Sequence, residues 1–532
     1  MAQMGVVAML TEAFHGTNPQ LLLSAVLTLL LLLGFAAAAG ARQSKRHQPR
    51  HCHRLPPSPP KLPVIGHLHL VGPSPHISLR DLADRHAGAD GLMLLRLGQV
   101  PNLVVSSPRA AEAVLRTHDH VFASRPRSVV ANILLWSSSD VALAPYGEYW
   151  RQARKLVTAH MLSGRKVHAL RRAREEEVRL ALARVREAAA AGAAVDVSEL
   201  LSTFANDVVC RAVTGRLSRA GGRNGLFREL IDGNVAVLGG FHLDGYFPSL
   251  AKVGLLQRVL CAKAKRLRKR WDELLDEIID EHADADHGKN GRPEDDGDFV
   301  DVLLSLQQEY GLTRDQTKGI LADMFAAGTD TSYIVLEYCM VELIRNPHLM
   351  TKLQANVTKN TPKDQEMVKE DNINNMTYLK AVVRETLRLH PPAPLLLPRL
   401  SMTKCDVNGY MIPAETRVII NAWALGRDTR AWEKADEFIP DRFIDNGSST
   451  VPDLKGGDFK FLPFGAGRRI CPGMNFGMAT VEVMLANLVY CFDWELPTGM
   501  NNENLDMTDV FGLTMRRKDK LLLIPKFPNA NT

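Results

Sequence analysis

The stretch PFGAGRRICPG (residues 463–473) places a single cysteine, Cys471, among three glycines, two prolines and two arginines. It runs directly into an apolar segment that starts near Met474. A helix that begins there would direct its first N–H groups and the positive end of its dipole at the cysteine sulfur. Most of the cysteines of the chain are expected to be reduced, buried and inert, and one with a chemical role must be singled out by its surroundings.

The composition of the chain bounds the possible functions. Its 532 residues are 45% hydrophobic and 23% charged, as in a globular protein with a large core. The net charge of +6 is small for this length and gives no case for nucleic-acid binding. The seven cysteines are scattered and form no CxxC pair, which argues against a disulfide scaffold and against a zinc site.

The N-terminal region predicts a membrane anchor. Residues 21–41 are uncharged and about long enough to cross a bilayer, and five Lys or Arg residues follow within residues 42–54. The positive-inside rule then places residues 1–20 in the lumen and the remainder in the cytoplasm. The alternative is a cleaved signal peptide, but its positive charges would precede the apolar run.

The predicted order of domains is a lumenal segment (1–20), a transmembrane anchor (21–41), a basic and proline-rich hinge (42–66) and a catalytic domain (67–532). Five prolines between residues 56 and 63 of the hinge favour polyproline II. The hinge is then either a stiff strut that fixes the tilt of the body on the membrane or a simple loop at the start of the domain.

The body of the chain reads as mainly α with a smaller β-rich part. Helical spacing is clearest in residues 174–191 and 261–282, and the basic half of the second is either a solvated face or a docking surface for an acidic partner. Residues 92–98 and 102–107 predict a hairpin, and residues 416–426 begin with a β-branched run that predicts another strand. The polar stretch 283–298 predicts a mobile surface loop.

A long apolar helix is predicted over residues 313–346. Thr313 and Gln316 form a capping box, and Pro347 ends the helix. Its centre, AAGTDTS (residues 326–332), contains Gly, Thr, Asp and Ser, which are poor residues for the interior of a helix. This break is either an opening for a small ligand beside Asp330 and Thr331 or a notch in which another helix crosses closely, and the sequence leaves both open.

Two arginine-containing segments follow this helix. Glu385 and Arg388 lie three residues apart on a predicted helix and form either an exposed pair or a buried one. A buried pair needs a further partner, for which Arg442 is the candidate. After the helix, the extended segment LLLPR could carry Arg399 to an anion.

The motifs around Cys471 resemble those of the cytochrome P450 superfamily, the haem-thiolate monooxygenases. Phe464, Gly467, Arg469, Cys471 and Gly473 make the pattern F-x-x-G-x-R-x-C-x-G, and AGTDTS and ETLR precede it in the family's order. The resemblance covers the body, the anchor and the hinge. It implies a cytochrome P450 fold, mainly α with a smaller β-rich part, behind a single N-terminal transmembrane helix. The family's usual P-E-R-F is PDRF here, a change expected to have little effect.

The resemblance also implies the residues of the site. Cys471 would be the axial ligand of the iron of haem b, with Gly467 and Gly473 leaving room for sulfur and porphyrin. Thr331 would hydrogen-bond to bound oxygen, and Asp330 would help relay protons. The implied haem-binding residues are Cys471, Arg469, Trp150, Arg154, Arg399, Phe464, Gly467 and Gly473. The implied structural triad is Glu385, Arg388 and Arg442.

Electrons would come from NADPH through a partner NADPH–cytochrome P450 reductase, docking on the cysteine side where Arg151, Lys155 and Arg468 offer positive charge. The implied localisation is the membrane of the endoplasmic reticulum, with a single span and the catalytic domain facing the cytoplasm. Other partners would be the lipid bilayer, O2 and a small lipophilic substrate.

The substrate class follows from a narrower resemblance. Segments such as HDHVFASRPRSVV and WALGRD are similar to those of the grass enzymes of benzoxazinoid biosynthesis, which hydroxylate indole, indolin-2-one, 3-hydroxyindolin-2-one and benzoxazinones. By family analogy the substrate pocket would include Leu321, Phe325, Ala327, Leu395, Leu397 and Phe511. The alternative for each is that it only packs in the core.

Two other functions compete with a monooxygenase. A haem-thiolate isomerase or lyase would rearrange hydroperoxides without reductase or O2, but the pair Asp330 and Thr331 argues against it. A non-catalytic, membrane-anchored haem protein would explain Cys471 but not the break in the centre of the long helix.

Overall fold

The computed structural model of the chain describes residues 54–215, 222–240, 242–249, 254–286, 297–444, 452–502 and 505–528. The predicted lumenal segment and membrane anchor lie outside the described residues, as do residues 287–296 of the predicted surface loop. Helices make up most of the described chain and short strands the rest. The mainly α class with a smaller β-rich part is therefore confirmed.

The predicted helices are present: those over residues 174–191 and 261–282 have wider bounds than predicted, and the one over residues 313–346 is one residue shorter at each end. Their order along the described chain is α1 (Pro75–His86), α2 (Pro108–Glu112), α3 (Val129–Leu134), α4 (Glu148–Leu156), α5 (Gly164–Ala169), α6 (Arg171–Ala191), α7 (Val197–Thr214), α8 (Arg223–Leu238), α9 (Gly254–Asp286), α10 (Phe299–Ser305), α11 (Gln307–Tyr310), α12 (Arg314–Arg345), α13 (Pro347–Asn360), α14 (Thr377–Leu389), α15 (Ala422–Leu425) and α16 (Met474–Cys491).

Helix α12 is the central helix of the core. Thr313 and Gln316 form the predicted capping box, and the helix continues through AAGTDTS without interruption. Helix α7 crosses it at Gly328, where a Cβ atom would lie only 2.8 Å from Cγ2 of Val209. The small residue at position 328 is thus required by close helix packing, so the notch interpretation holds for this side of the helix.

Helix α16 completes the core behind the cysteine loop. Among the described residues it is the one helix with the length and apolar composition of a membrane span, and more than half of it is buried inside the protein. It packs against α12, α13 and α14. Its apolar character is therefore explained by its place in the core.

The strands form small sheets at the edge of the helical core. They are β1 (Leu92–Leu97), β2 (Val100–Val105), β3 (Val195–Asp196), β4 (Arg399–Leu400), β5 (Cys405–Val407), β6 (Tyr410–Ile412), β7 (Arg417–Ile420), β8 (Asp493–Glu495), β9 (Asp509–Phe511), β10 (Met515–Arg517) and β11 (Leu522–Lys526). The largest has the order β1-β2-β7-β4 and contains the predicted hairpin, with β2 and β7 parallel. The others are β3-β11-β8, β9-β10 and β5-β6.

The strand predicted over residues 416–426 is shorter than expected. Strand β7 ends at Ile420, and the side chain of Asn421 accepts a hydrogen bond from the N–H of Ala424 at 3.0 Å. This N-cap starts helix α15, so the second half of the segment is helical.

The described end of the proline-rich hinge lies against two of the small sheets. The carbonyl of Arg54 accepts a hydrogen bond from the N–H of Met411 at 2.9 Å, and that of Pro57 accepts one from the N–H of Leu94 at 2.9 Å. Pro56 and Pro59 are buried. From residue 54 onward the chain is therefore attached to the body.

Candidate active site

The cysteine loop holds the Cys471 sulfur at the start of α16. The N–H of Cys471 donates to the carbonyl of Phe464 at 2.9 Å, which closes the loop. The N–H groups of Gly473 and Met474 hydrogen-bond to the sulfur and, with the nearby Arg154, lower the pKa of the thiol, whereas burial raises it more strongly. The loop thus supplies the donors that a thiolate ligand needs, and a bound cation would complete its stabilisation.

The two glycines predicted to make room differ in their surroundings. Gly467 has a φ of +69°, and a Cβ there would lie 2.4 Å from the carbonyl oxygen of Leu115 and 2.7 Å from a carboxylate oxygen of Asp119. A Cβ at Gly473 would lie 3.9 Å from the Cys471 sulfur, an ordinary contact. Of the two positions, 467 has the stronger need for glycine, because a side chain there would collide with the backbone at Leu115.

Arg399 and Arg469 are buried beside this loop. Arg469 donates hydrogen bonds to the carbonyls of Ala123 at 2.7 Å and Ala144 at 2.6 Å. Arg399 donates to Asp119 at 2.9 Å and to the carbonyl of Ala466 at 2.6 Å. The structure therefore brings two of the predicted haem-binding arginines to the same buried region.

A third buried arginine, Arg125, belongs to the same cluster. It donates to the carbonyls of Ala142 at 2.9 Å, Leu397 at 2.6 Å and Pro398 at 2.9 Å. Arg125 was not predicted from the sequence, because the segment around it has no helical or strand period that would distinguish it from the exposed Arg127.

The three arginines carry more positive charge than their surroundings balance. Burial, together with the neighbouring arginines, lowers the pKa of Arg469 to about 9 and lowers that of Arg125 well below its ordinary value. Burial also lowers the pKa of Arg399, although Asp119 opposes this effect. Clustered buried cations of this kind fit an anionic group of more than one charge, such as the two propionates of haem.

Trp150 and Arg154 connect α4 to the same region, as their spacing predicted. The indole N–H of Trp150 donates to the carbonyl of Val141 at 3.0 Å, and the guanidinium of Arg469 lies 4.1 Å from the centre of the Trp150 ring. Arg154 donates to the carbonyl of Ile470 at 2.5 Å, next to the cysteine.

Replacing Arg125 with alanine is expected to weaken haem retention. Each hydrogen bond to a charged partner contributes about 1.5–3 kcal/mol, so the rate of haem transfer to apomyoglobin should rise by roughly tenfold or more. Arg127→Ala is the matched control, because that side chain is exposed. Equal transfer rates for the two variants would exclude Arg125 from the haem-binding set.

The centre of α12 presents an accessible face. Ala327 is exposed and Thr331 half-exposed, although most residues on either side of them along the helix are buried. The Thr331 hydroxyl donates to the carbonyl of Ala327 at 2.7 Å. One side of the break is thus a packing notch at Gly328, and the adjacent side leaves a hydroxyl accessible to a ligand.

Asp330 does not share that face. It is buried, its carboxyl accepts a hydrogen bond from the hydroxyl of Thr514, and burial raises its pKa. Since adjacent helical residues lie about 100° apart, Asp330 and Thr331 point in different directions. Asp330 can exchange a proton with the accessible face only after its side chain moves or through an intervening water.

The predicted pocket residues fall into two groups. Phe325 stacks on Phe227 of α8 with ring centres 3.9 Å apart, and Leu321 lies one turn before it. Phe325 points about 200° round the helix from the exposed Ala327, and both Phe325 and Leu321 are buried, so their role in the pocket stays a prediction. Leu395, Leu397 and Phe511 are half-buried, and their role in the pocket stays a prediction.

The triad of Glu385, Arg388 and Arg442 is assembled as the sequence suggested. Arg388 donates to both carboxylate oxygens of Glu385 at 2.7 Å, and both side chains are fully buried. Arg442 lies 3.3 Å from the same carboxylate. Asp441 pairs instead with Lys352 at the surface, which explains why aspartate is tolerated in the PDRF segment.

A cysteine supported by helix N–H groups, beside three buried arginines whose charge Asp119 and Asp140 balance only in part, fits haem, which offers an iron to the sulfur and two propionates to the arginines. The fold and site define a haem-thiolate enzyme. The chain belongs to the cytochrome P450 family, because the model of that family, "Cytochrome P450", matches residues 56–524.

Comparison with curated proteins narrows the class. The chain is 58% identical to indole-2-monooxygenase of Zea mays over 510 residues, which is 94% of each chain. It is 55% identical to 3-hydroxyindolin-2-one monooxygenase of Zea mays over 95% of each chain, and 53% identical to indolin-2-one monooxygenase of the same plant over 96% of each. The chain is thus an enzyme of the P450 monooxygenase type, and the predicted resemblance to the grass subgroup is confirmed.

A solved structure agrees on the fold. A zebra fish cytochrome P450 determined with abiraterone superposes with a TM-score of 0.71 at 24% identity, covering 86% of this chain and 100% of that one. At this identity the match shows the fold alone.

Proposed function

We propose that the chain hydroxylates indole or a closely related bicyclic lactam or benzoxazinone, with electrons delivered from NADPH by a partner reductase. Indole, indolin-2-one, 3-hydroxyindolin-2-one and a benzoxazinone are the candidate substrates. The observation that carries this proposal is the 53–58% identity, over nearly the full length, to three enzymes named for indole and indolinone substrates.

The residues of the chain have separable tasks in this reaction. Cys471 would ligate the haem iron, and Arg125, Arg399, Arg469 and Arg154 would hold the propionates. When bound, the haem supplies the activation of O2, and its thiolate ligand favours cleavage of the O–O bond. The protein orients the substrate and controls where protons enter.

Thr331 is placed to handle a proton on the accessible face of α12. Its hydroxyl donates to the Ala327 carbonyl, and a hydroxyl can also accept a hydrogen bond through its free lone pairs. It can therefore receive a proton from a water molecule and rotate to donate one, without itself becoming charged. The buried Asp330, next along the helix, is the nearest carboxyl group in the sequence that could supply that proton.

Replacing Thr331 with alanine is expected to leave the haem bound but to uncouple the reaction. Product per NADPH should fall by roughly tenfold or more, and hydrogen peroxide should account for the missing electrons. Ser332→Ala is the matched control, because Ser332 makes the same type of bond to a carbonyl four residues back, at 2.8 Å, but is buried. Unchanged coupling in Thr331→Ala would remove the proton role.

The substrate is tested by reconstitution. The full-length chain is expressed with a plant reductase and NADPH, and the four candidate substrates are examined for a mass increase of one oxygen atom. Omission of NADPH and replacement of the reductase by an inactive variant are the controls. Turnover without NADPH would instead support a haem-thiolate isomerase or lyase.

The membrane assignment is part of the same proposal. The apolar run 21–41, followed by basic residues, supports a single span in the endoplasmic reticulum with the catalytic domain facing the cytoplasm, where the reductase would dock. Protease protection in microsomes tests it: an epitope at residue 532 should be digested, and one before residue 20 should be protected.

A further inference from the structure

A short segment between α3 and α4 holds two of the buried arginines through its main chain. Residues 139–144 form this arginine-binding segment. The carbonyl of Val141 accepts a hydrogen bond from Arg469 at 3.2 Å, and that of Ala142 accepts one from Arg125 at 2.9 Å. The positions of these two arginines therefore depend on the course of the segment's main chain.

The same segment is attached to the central helix α12 through its N–H groups. Those of Val141 and Ala142 donate to one carboxyl oxygen of Asp323, Oδ2, at 2.7 and 2.9 Å. One turn earlier on α12, a Cβ atom at Gly319 would lie 2.3 Å from the carbonyl oxygen of Ser139. The close approach that glycine allows at position 319 thus places the segment where Asp323 can bind two of its N–H groups.

The turn that enters the segment is strained. Trp136, Ser137 and Ser138 have φ angles of 48°, 62° and 60°, so three consecutive non-glycine residues lie in the left-handed region. Such a backbone persists only where the surrounding contacts hold it. The indole N–H of Trp136 donates to Asp272 of α9 at 2.8 Å on one side of the turn, and Asp323 holds the chain on the other side. Without Asp323, the strain would favour a different course of the segment.

We propose that Asp323 is a positioning residue for haem binding. Its carboxyl fixes the arginine-binding segment on α12, and the carbonyls of that segment then hold Arg125 and Arg469 where the propionates bind. Asp323 acts through the main chain of the segment and not through a contact of its own with the arginines. The inference deepens the proposed function and rests on its assignment of these two arginines to the haem.

The hydrogen bonds of Asp323, and not its charge, account for this role. Burial raises the pKa of Asp323 well above its ordinary value and the neighbouring Asp140 raises it further, whereas the N–H groups of Val141 and Ala142 oppose these effects. Such a carboxyl favours its neutral form, in which one oxygen still accepts both hydrogen bonds. The amide oxygen of an asparagine can accept the same two bonds, so asparagine is the conservative replacement.

Haem transfer to apomyoglobin, measured on the substrate-free holoenzyme, tests the proposal. Asp323→Leu has a similar shape but no acceptor, so the rate of transfer should rise by roughly tenfold or more. Asp323→Asn keeps an acceptor oxygen and should return the rate to within about threefold of the wild type. Asp315→Leu is the matched control, because Asp315 is exposed in the first turn of the same helix.

A second variant displaces the same segment without changing Asp323. In Gly319→Ala the added methyl group collides with the carbonyl of Ser139, so the transfer rate should rise even though alanine is the better residue for a helix interior. Gly225→Ala is its control, because a Cβ atom at that position on α8 meets open space. If Asp323→Leu yields no holoprotein, Gly319→Ala decides, and a wild-type transfer rate in it would overturn the proposal.

A double-mutant cycle distinguishes positioning from a general loss of stability. Asp323→Leu is combined with Arg125→Ala in one chain. If Asp323 holds the carbonyl that binds Arg125, the combined increase in transfer rate should be smaller than the product of the two separate increases. Increases that multiply fully would overturn the route through the segment, and so would a failure of Asp323→Asn to restore haem retention.

The haem-transfer measurements are independent of the choice of substrate, because they use neither substrate nor reductase. If the wild type oxidises none of the indole-type compounds, the proposed substrate fails, and the transfer rates still test Asp323. If the wild type oxidises one of them and Asp323→Leu transfers haem at the wild-type rate, the positioning role is overturned and the proposed function stands.

Discussion

Replacing Cys471 with alanine is expected to abolish the thiolate-haem signature in the ferrous–CO spectrum and to reduce monooxygenase activity to background. The N–H groups of Gly473 and Met474 hydrogen-bond to this sulfur. The methyl side chain of an alanine at position 471 has no atom that can ligate iron. The spectrum reports the ligand itself, so the effect is visible even if some haem remains associated through the arginines.

The control for this variant is Cys491→Ala. Cys491 lies at the other end of α16 and is half-buried, and its thiol contacts the carbonyl of Glu366 at 3.6 Å. That variant should keep the spectrum of the wild type. A thiolate signature that survives in Cys471→Ala would mean that another cysteine ligates the iron.

Replacing Arg388 with alanine is expected to cause the largest loss of stability. The guanidinium donates to both oxygens of Glu385 and to the carbonyls of Gly426 and Ala435 at 2.6 Å and of Glu437 at 2.9 Å. Its removal leaves the Glu385 carboxylate buried without its main partner, which costs about 3–5 kcal/mol. We expect a sharply lower yield of holoprotein and a lower temperature of half-inactivation, measured by the loss of haem absorbance.

Arg442→Ala is the matched comparison for this prediction. Arg442 approaches the same carboxylate at 3.3 Å, but its side chain is partly exposed and Arg388 remains in place. Its effect should be clearly smaller. If Arg388→Ala and Arg442→Ala were equally stable, the buried pair of Glu385 and Arg388 would not be the main source of the stability that the triad provides.

The central helix and the cysteine loop could be predicted because their signals are local in the sequence. The capping box at Thr313 and Gln316, the stop at Pro347 and the glycine-flanked cysteine each lie within a few residues of the feature they define. The end of strand β7 was missed for a local reason as well. The asparagine at 421 is a good N-cap, and the β-branched run before it concealed that signal.

The contacts of the site between distant segments could not be predicted in the same way. Thr514 meets Asp330 across 184 residues of sequence, and Arg125 reaches Leu397 across 272. Neither contact leaves a periodic pattern in the chain. In contrast, the different directions of Phe325 and Ala327 could be predicted from the sequence. Side chains two positions apart on a helix point about 200° away from each other.

The attachment of the residues from Arg54 to Pro57 has a mechanical consequence. Their carbonyls are bonded to Met411 in the β5–β6 hairpin and to Leu94 in β1. A force applied to the N-terminal end of the chain is therefore borne first by these two hairpins, before it reaches the helical core that holds the cysteine loop.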